Sequence, residues 1–185
     1  MRRTARPQDR AAVEAIVDAA YSIYVERIGT SPGPMVDDYA ELIAAGAVSV
    51  LEDPDGVIVA LVVLLPKPDH LLLDNIAVRP DRQGRGLGRQ LIAFAESEAL
   101  RRGYAELRLY THEKMTENIT LYGGLGFRET GRGHEAGYDR VFMTKEIGTQ
   151  DGAPKTEHPR QSGPRCPVAR GGQWEFCRCE GRSSQ

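Results

Sequence analysis

Apolar residues recur at helical spacing in the first part of the chain. Over residues 9–28 they fall three or four positions apart, which predicts an amphipathic helix that ends at Gly29. A loop rich in proline follows at 31–34. A second, shorter helix is predicted over 35–45, ending at Gly46.

Strand signals follow in the middle of the chain. Val48–Glu52 and residues 57–65 are apolar runs on either side of an Asp-Gly pair, Asp55-Gly56, which favours a hairpin turn. Two prolines then separate this hairpin from another apolar run, Leu71–Val78. The pattern therefore predicts three consecutive strands here.

The remaining pattern alternates between helix and strand. Residues 87–100 predict a helix, and apolar positions at 107–109 and 141–142 predict two later strands with a short helix over 116–123 between them. This order predicts a mixed α/β (α+β) fold, with one mostly antiparallel mixed sheet flanked by helices.

The end of the chain has a different composition. Residues 151–185 contain five Gly and four Pro but only two residues of the Leu, Ile, Val and Phe set, Val168 and Phe176. Such a segment buries too little apolar surface to offset its ordering entropy. We therefore predict a folded domain over 1–148 and a disordered tail over 149–185. All three cysteines lie in this tail, which excludes a disulfide framework or a cysteine nucleophile in the main domain.

Charge and hydropathy exclude several classes of protein. The chain has 24 Lys+Arg against 26 Asp+Glu, a net charge of −2, whereas a general nucleic-acid binder carries a basic excess. Its longest apolar run has nine residues, far fewer than the ~20 that span a bilayer. No apolar stretch follows the first basic residues, so no secretory signal is predicted. We expect a cytoplasmic protein that binds neither nucleic acid nor membrane.

The segment 83–88 (Gln-Gly-Arg-Gly-Leu-Gly) predicts an anion-binding turn. It leads from the strand Leu71–Val78 into the helix at 87–100, where backbone N–H groups and about half a positive charge at the helix N-terminus can hold an anion. Arg82, Arg85 and Arg89 add three cations. The spacing is neither G-x-G-x-x-G nor that of a Walker loop. A pyrophosphate cradle of another type is favoured over a plain glycine-rich turn.

Two motifs resemble those of a known family. The pattern Gln83-x-x-Gly86-x-Gly88, after a Leu-Asp-Asn-Ile-Ala-Val strand, is similar to the acyl-CoA motif of the GNAT superfamily of N-acyltransferases. Residues 121–127 (Leu-Tyr-Gly-Gly-Leu-Gly-Phe) resemble the family's Leu-Tyr-x-x-x-Gly-Phe segment. The resemblance covers about residues 1–147. It implies an acetyl-CoA-dependent N-acetyltransferase in which an amine attacks the thioester directly.

The resemblance assigns roles to individual positions. In the family the strand before the loop splays from its neighbour and pairs with the pantetheine arm, and the loop amides hold the pyrophosphate. Tyr122 takes the place of a tyrosine that protonates the leaving thiolate. The implied residues for binding acetyl-CoA, the co-substrate, are Ile76, Ala77, Val78, Gln83, Gly84, Arg85, Gly86, Leu87, Gly88, Arg89 and Asn118.

A base is also needed, because the attacking amine must lose a proton. An amine with a pKa near 10.4 is charged at pH 7, and forming its neutral form costs ~4–5 kcal/mol. Asp74 is the predicted catalytic base, since alternation along the strand places it on the face of Leu72, beside the expected thioester. The alternative is that Asp74 only caps a sheet edge or binds a backbone amide. Tyr110 and Met115 stand where many family members carry Glu and Asn.

The acceptor is the least constrained part of the prediction. The helix–loop–helix over residues 21–39 would lie over the acceptor side, and its aromatic and acidic groups suit a cationic amine. Glu26 and Tyr39 are the predicted substrate-binding residues. The acceptor is predicted to be the primary amine of a small molecule or a peptide N-terminus.

The sequence also bears on metal binding, on assembly and on an alternative function. No metal is predicted, because His112-Glu113-x-x-Thr116 lacks the second His of a zinc protease motif. Cys166, Cys177, Cys179 and His158 match no common zinc module. The resemblance allows for a homodimer. The alternative function is a non-catalytic acyl-CoA-binding sensing module.

Overall fold

A computed structural model describes residues 1–148, so the predicted tail lies outside the described residues. The chain forms seven strands and four α-helices over this range. In chain order they are β1 (Arg2–Thr4), α1 (Arg10–Ile28), α2 (Tyr39–Ala44), β2 (Val48–Glu52), β3 (Ile58–Pro66), β4 (Leu71–Val78), α3 (Leu87–Arg101), β5 (Glu106–His112), α4 (Thr116–Gly124), β6 (Arg128–Glu135) and β7 (Tyr138–Glu146).

The strands form one sheet in the order β1-β2-β3-β4-β5-β7-β6. Every neighbouring pair is antiparallel except β4 and β5, which are parallel and are joined through α3. The predicted fold class, a mostly antiparallel mixed sheet flanked by helices, is confirmed.

Two hydrophobic cores cover the two faces of this sheet. On one face α3 packs through Leu91 and Ala95, and on the other α1 and α2 pack through residues such as Val17 and Ile43. Strand β3 serves both cores, since Val62 belongs to the first and Leu61 to the second. This explains why β3 is a continuous apolar run, as expected of a strand that is buried on both faces.

The second helix is shorter than predicted. It begins at Tyr39, because the Asp38 carboxylate accepts hydrogen bonds from the N–H groups of Ala40 (2.9 Å) and Glu41 (3.2 Å) and so caps the helix there. The residues before it, Gly33–Met35, form a separate 3-10 turn. The prediction of one helix over 35–45 is wrong in its first part.

Strand β6 is missing from the sequence prediction. Within residues 1–148 it pairs only with β7, at the edge of the sheet, and all but one of its residues are exposed. Its sequence, Arg-Glu-Thr-Gly-Arg-Gly-His-Glu, contains no large apolar side chain. An edge strand of this kind lacks the apolar alternation by which strands are predicted.

The gap between β4 and β5 positions the candidate site. The two parallel strands pair only over Leu71–Leu73 and 107–109, and beyond Leu73 they have no register with each other. A β-bulge lies at the point of divergence, since Leu73 pairs with Leu64 and Asn75 with Val63, leaving Asp74 without an opposite residue on β3. The strict alternation used to place Asp74 is interrupted at this bulge.

Among residues 1–148, no helix is both long enough and apolar enough to cross a membrane.

Candidate active site

The predicted anion-binding turn lies between β4 and α3. Gly84 and Gly86 both adopt left-handed backbone conformations, with φ of 74° and 79°, and Gly86 caps the N-terminus of α3. A residue with a Cβ atom is strained at such φ values, which explains glycine at both positions. The backbone N–H groups at the start of α3 are therefore available to bind an anion.

The three arginines of this turn, Arg82, Arg85 and Arg89, have different surroundings. Arg82 donates to the Asp53 carboxylate at 3.2 Å and so ties the turn to the β2–β3 hairpin. Arg85 faces a separate depression beside Asp53. Arg89 lines the same groove as the glycines. Three arginines were expected to hold an anion. Among the described residues, Arg89 is the one of the three that lines the groove and has no ion-pair partner.

A groove of about 640 Å³ extends from this turn along the open edge of β4. Helix α1 forms one wall through Tyr24 and helix α4 the other through Leu121. All the predicted cofactor-binding residues except Arg85 line it. They are Ile76, Ala77, Val78, Gln83, Gly84, Gly86, Leu87, Gly88, Arg89 and Asn118.

The open edge of β4 presents backbone groups to this groove. The carbonyl of Ile76 accepts a hydrogen bond from the Tyr21 hydroxyl (3.2 Å), and that of Val78 accepts one from Gln83 Nε2 (3.1 Å). The N–H and C=O of one residue in a strand point to the same side, so the N–H groups of Ile76 and Val78 also face the gap. An extended polar chain could pair with β4 here, as a strand would.

A second, smaller cavity of about 60 Å³ opens where β4 and β5 diverge. The turn Gly33–Met35, strand β5 and strand β7 surround it through residues such as Pro34, His112 and Arg140. Burial lowers the pKa of His112, so its imidazole is neutral at pH 7. Its Nδ1 accepts a hydrogen bond from the Lys114 N–H at 3.1 Å, which leaves the proton on Nε2.

The two cavities meet at four residues: Tyr21, Ile76, Asn118 and Tyr122. The ring of Tyr122 packs edge-on against Phe127, with centroids 5.7 Å apart. Its hydroxyl has no hydrogen-bond partner among the described residues and is not sealed from the cavities. Burial of the ring raises the pKa of Tyr122 to about 12. The phenol therefore stays protonated at neutral pH and can donate a proton.

Asp74 points into the smaller cavity and is held by Tyr110. The Tyr110 hydroxyl donates to Asp74 Oδ1 at 2.6 Å, across the gap between β4 and β5. The guanidinium of Arg140 lies over the ring of the same tyrosine, 3.9 Å from its centroid. Partial burial and the charge of Asp74 raise the pKa of the nearby Asp37 to about 6. The Asp74 carboxylate thus lines the cavity, and the Arg140 guanidinium and the Asp37 carboxylate lie close by.

The two predicted substrate-binding residues lie outside this cavity. Glu26 is exposed on α1 and lines neither the groove nor the cavity. Tyr39 is buried beneath the cavity wall, where its hydroxyl donates to the Pro34 carbonyl (3.0 Å) and accepts from Asn75 Nδ2 (2.8 Å). This placement does not favour direct contact between either side chain and an acceptor. Tyr39 instead supports the cavity wall through its hydrogen bond to Pro34.

Several residues of the site were not predicted from the sequence. Asn75, 1% exposed, accepts from the Tyr21 hydroxyl (2.7 Å) and so joins α1, α2 and β4 in one hydrogen-bonded network. A buried Asn in an otherwise apolar strand is a polar signal that could have been noticed. Arg140 and Tyr138 have no such signal, because they follow β6, the strand that the pattern did not predict.

Comparison with known proteins gives a consistent family. A sequence model of the acetyltransferase (GNAT) family matches residues 13–127. The ribosomal protein bS18-alanine N-acetyltransferase of Salmonella typhimurium is 41% identical over 88 residues, which cover 43% of this chain and 57% of the relative. Its Escherichia coli counterpart is 44% identical over 61 residues, which cover 33% of this chain and 41% of the relative. The chain thus spans about half the length of the curated relatives it matches.

Solved structures share the fold. The ribosomal-protein-S18-alanine N-acetyltransferase from Escherichia coli superposes with a TM-score of 0.63 at 24% identity, over 85% of this chain and 98% of that one. The PaiA N-acetyltransferase from Thermoplasma acidophilum, in complex with coenzyme A, superposes with a TM-score of 0.65 at 15% identity, over 79% and 98%. At these identities the likeness is one of fold.

Proposed function

The chain belongs to the acetyltransferase (GNAT) family, and on that premise we propose that it transfers an acetyl group from acetyl-CoA to a primary amine of a small molecule or peptide. The observation that carries this proposal is the meeting of two cavities at Tyr122. The larger ends at an anion-binding turn and suits the CoA chain, whereas the smaller holds a carboxylate and suits the amine.

The groove offers a place for each part of CoA. The N–H groups between Gly84 and Arg89 at the start of α3 would hold the pyrophosphate, and the open edge of β4 at Ile76 and Val78 would pair with the pantetheine amides. This arrangement leads the sulfur toward the junction at Tyr122 and Asn118. Backbone N–H groups beside the bulge would polarise the thioester carbonyl.

Two side chains provide the route for protons. Asp74 would take a proton from the ammonium, so that the neutral amine attacks the thioester carbon. As the carbon–sulfur bond breaks, the Tyr122 hydroxyl would give its proton to the leaving thiolate, and the second proton of the new amide nitrogen would restore that hydroxyl. The raised pKa of Tyr122 supports this role, because the hydroxyl is fully protonated before the reaction.

The relatives and the charges near the smaller cavity both bear on the nature of the acceptor. Two matching relatives are N-acetyltransferases that act on an alanine of ribosomal protein bS18, as their names state. That supports an α-amine over the terminal amine of a long side chain. The net charge of −2 and the Asp74 carboxylate, which lines the smaller cavity with Asp37 nearby, also favour a cationic acceptor.

The proposal is tested by incubating the full chain with acetyl-CoA and a panel of amino acids, peptides, polyamines and aminoglycosides. Product formation is followed by mass spectrometry, which the tail cysteines do not disturb. We expect a product 42 Da heavier than one class of amine, a mass difference that follows from replacing one hydrogen by acetyl. CoA binding in calorimetry with no product across the panel would contradict acetyl transfer and would support the sensing module instead.

A further inference from the structure

Arg140 has unused hydrogen-bonding capacity beside the smaller cavity. Its side chain is only 18% exposed, and its one ion-pair partner in the described residues, Glu135, is 3.6 Å away, beyond hydrogen-bonding distance. The guanidinium is held in place by the ring of Tyr110 at 3.9 Å. Its nitrogens are not sealed from solvent, since Arg140 lines the cavity and has no buried unsatisfied atom. A planar guanidinium fixed in this way fits a carboxylate through two parallel hydrogen bonds.

Tyr110 brings opposite charges to the two ends of one side chain. Its hydroxyl binds the Asp74 carboxylate at 2.6 Å, and its ring supports the Arg140 guanidinium. The guanidinium lies 3.9 Å from the ring centre, and the carboxylate lies roughly 6 Å from that centre, so the two charged groups are about 7 Å apart. A ligand that spans both must carry a cation and an anion only a few bonds apart.

The size of the cavity limits the ligand further. The cavity measures only about 60 Å³, far less than the neighbouring groove of about 640 Å³. A compact acceptor such as glycine or alanine suits it better than a polyamine or an aminoglycoside, most of which would lie outside it.

We propose that the acceptor is a small α-amino acid, with its ammonium group directed to Asp74 and its carboxylate bound by Arg140. This inference rests on the proposed acetyltransferase function and specifies its substrate class. Arg140 is then the residue that determines specificity. It leaves the reaction itself to Asp74 and Tyr122.

The proposed reaction is balanced without any further reactant. The ammonium group loses one proton to Asp74, and the neutral nitrogen forms a bond to the acetyl carbon. The carbon–sulfur bond of acetyl-CoA breaks, and the thiolate takes the proton of Tyr122. The nitrogen then loses its second proton, which restores the Tyr122 hydroxyl, and Asp74 releases its proton to solvent. The products are an N-acetyl amino acid, CoA and one proton, and the substrate carboxylate on Arg140 is unchanged.

The test compares matched acceptors with the full chain. Glycine and L-alanine are set against glycinamide and L-alaninamide, which keep the amine but lose the negative charge, and against dipeptides that start with the same residues. We expect kcat/KM for at least one free amino acid to exceed that for its amide and its dipeptide by at least tenfold. Equal or better use of the amide or the dipeptide would overturn the inference, and it would leave the acetyltransferase function standing.

Variants at Arg140 supply the second half of the test. Arg140→Leu should raise KM for the amino acid at least tenfold and leave KM for acetyl-CoA within twofold, with a much smaller change for the amide than for the amino acid, and Arg140→Lys should recover part of the loss. Arg108→Leu is the matched control, since Arg108 lies on β5 outside the cavity and pairs with Glu106 and Asp69. It should leave both KM values within twofold. An Arg140→Leu enzyme with an unchanged KM for the amino acid would contradict the proposal.

Direct binding separates the inference from the function. Calorimetric titration of glycine or L-alanine into the chain saturated with CoA should show binding that Arg140→Leu weakens at least tenfold. If that result is obtained without any acetylated product, the acetyltransferase proposal fails while the amino-acid site stands. Absence of amino-acid binding in a chain that acetylates other amines has the opposite meaning and overturns the site.

Discussion

At the scale of single residues, the proposed acetyl transfer depends most on the hydroxyl of Tyr122. We predict that Tyr122→Phe lowers kcat at least tenfold, because the leaving thiolate then lacks its proton donor. The dissociation constant for acetyl-CoA should change less than threefold, since the ring and its contact with Phe127 remain. Steady-state kinetics and calorimetry measure the two quantities separately.

Tyr104→Phe provides the control for this substitution. Tyr104 packs against the same hydrophobic core but lines neither the groove nor the cavity, so removing its hydroxyl should not change kcat. A Tyr122→Phe enzyme with the kcat of Tyr104→Phe would exclude the hydroxyl as the acid.

His112 makes a prediction about pH and stability. Burial lowers its pKa below the ordinary 6.5, so the folded state favours the neutral ring. The stability that follows from this is fully present above pH 6.5 and is lost as the pH falls through the lower, folded-state pKa. His112→Asn should therefore lose less thermal stability than the wild type between pH 7.5 and pH 5. Melting curves at both pH values test this, and parallel losses in the two proteins would contradict it.

The residues of the site were predictable where a motif carried them and otherwise not. Gly86 and Tyr122 belong to short sequence motifs, which can be recognised without a correct prediction of the fold. Both residues line the groove in the structure. Asp74 was chosen by strand alternation, which the bulge interrupts, yet it lines the smaller cavity, where the Tyr110 hydroxyl binds it. Arg140 comes from across the sheet, where a contact between distant parts of the chain leaves no local pattern.

At the scale of elements, the turn before α3 makes a prediction about binding. Gly86→Ala forces a side chain into a backbone with φ of 79° and projects it into the groove, where the pyrophosphate is proposed to lie. We expect the substitution to cost about 1 kcal/mol of stability. We also expect it to weaken CoA binding at least tenfold, as measured by calorimetry.

Gly103→Ala is matched to this variant. Gly103 follows α3, has a φ of 77° and also faces open space, so its replacement should cost similar stability. It lies outside the groove and should leave CoA binding within twofold. If the two variants weaken CoA binding equally, the turn has no special role and the loss reflects stability alone.

The elements themselves followed from the sequence wherever one face or both were buried. The helix over 9–28 and the strand Leu71–Val78 were predicted within one residue, because apolar periodicity fixes them. Strand β6 was not predictable in this way, since it is held by hydrogen bonds to β7 and buries almost nothing. The start of α2 depended on one side chain, Asp38, rather than on periodicity.

At the scale of the whole described domain, function follows from one interruption in the sheet. Five of the seven strands could be argued from local patterns, all but β1 and β6, yet the site lies where β4 and β5 stop pairing beyond Leu73. That divergence exposes the edge of β4 to the groove and opens the smaller cavity beside Asp74. No local pattern in the sequence specifies it, and the family resemblance alone implied it.

The most direct test of the account is the crystal structure of the full chain with CoA and an amine acceptor. It should show the pyrophosphate oxygens within about 3 Å of the N–H groups between Gly84 and Arg89, and the pantetheine arm paired with the open edge of β4. The sulfur should lie within hydrogen-bonding distance of the Tyr122 hydroxyl, with the amine in the smaller cavity. A pantetheine arm outside the gap between β4 and β5, or a sulfur remote from Tyr122, would contradict the account.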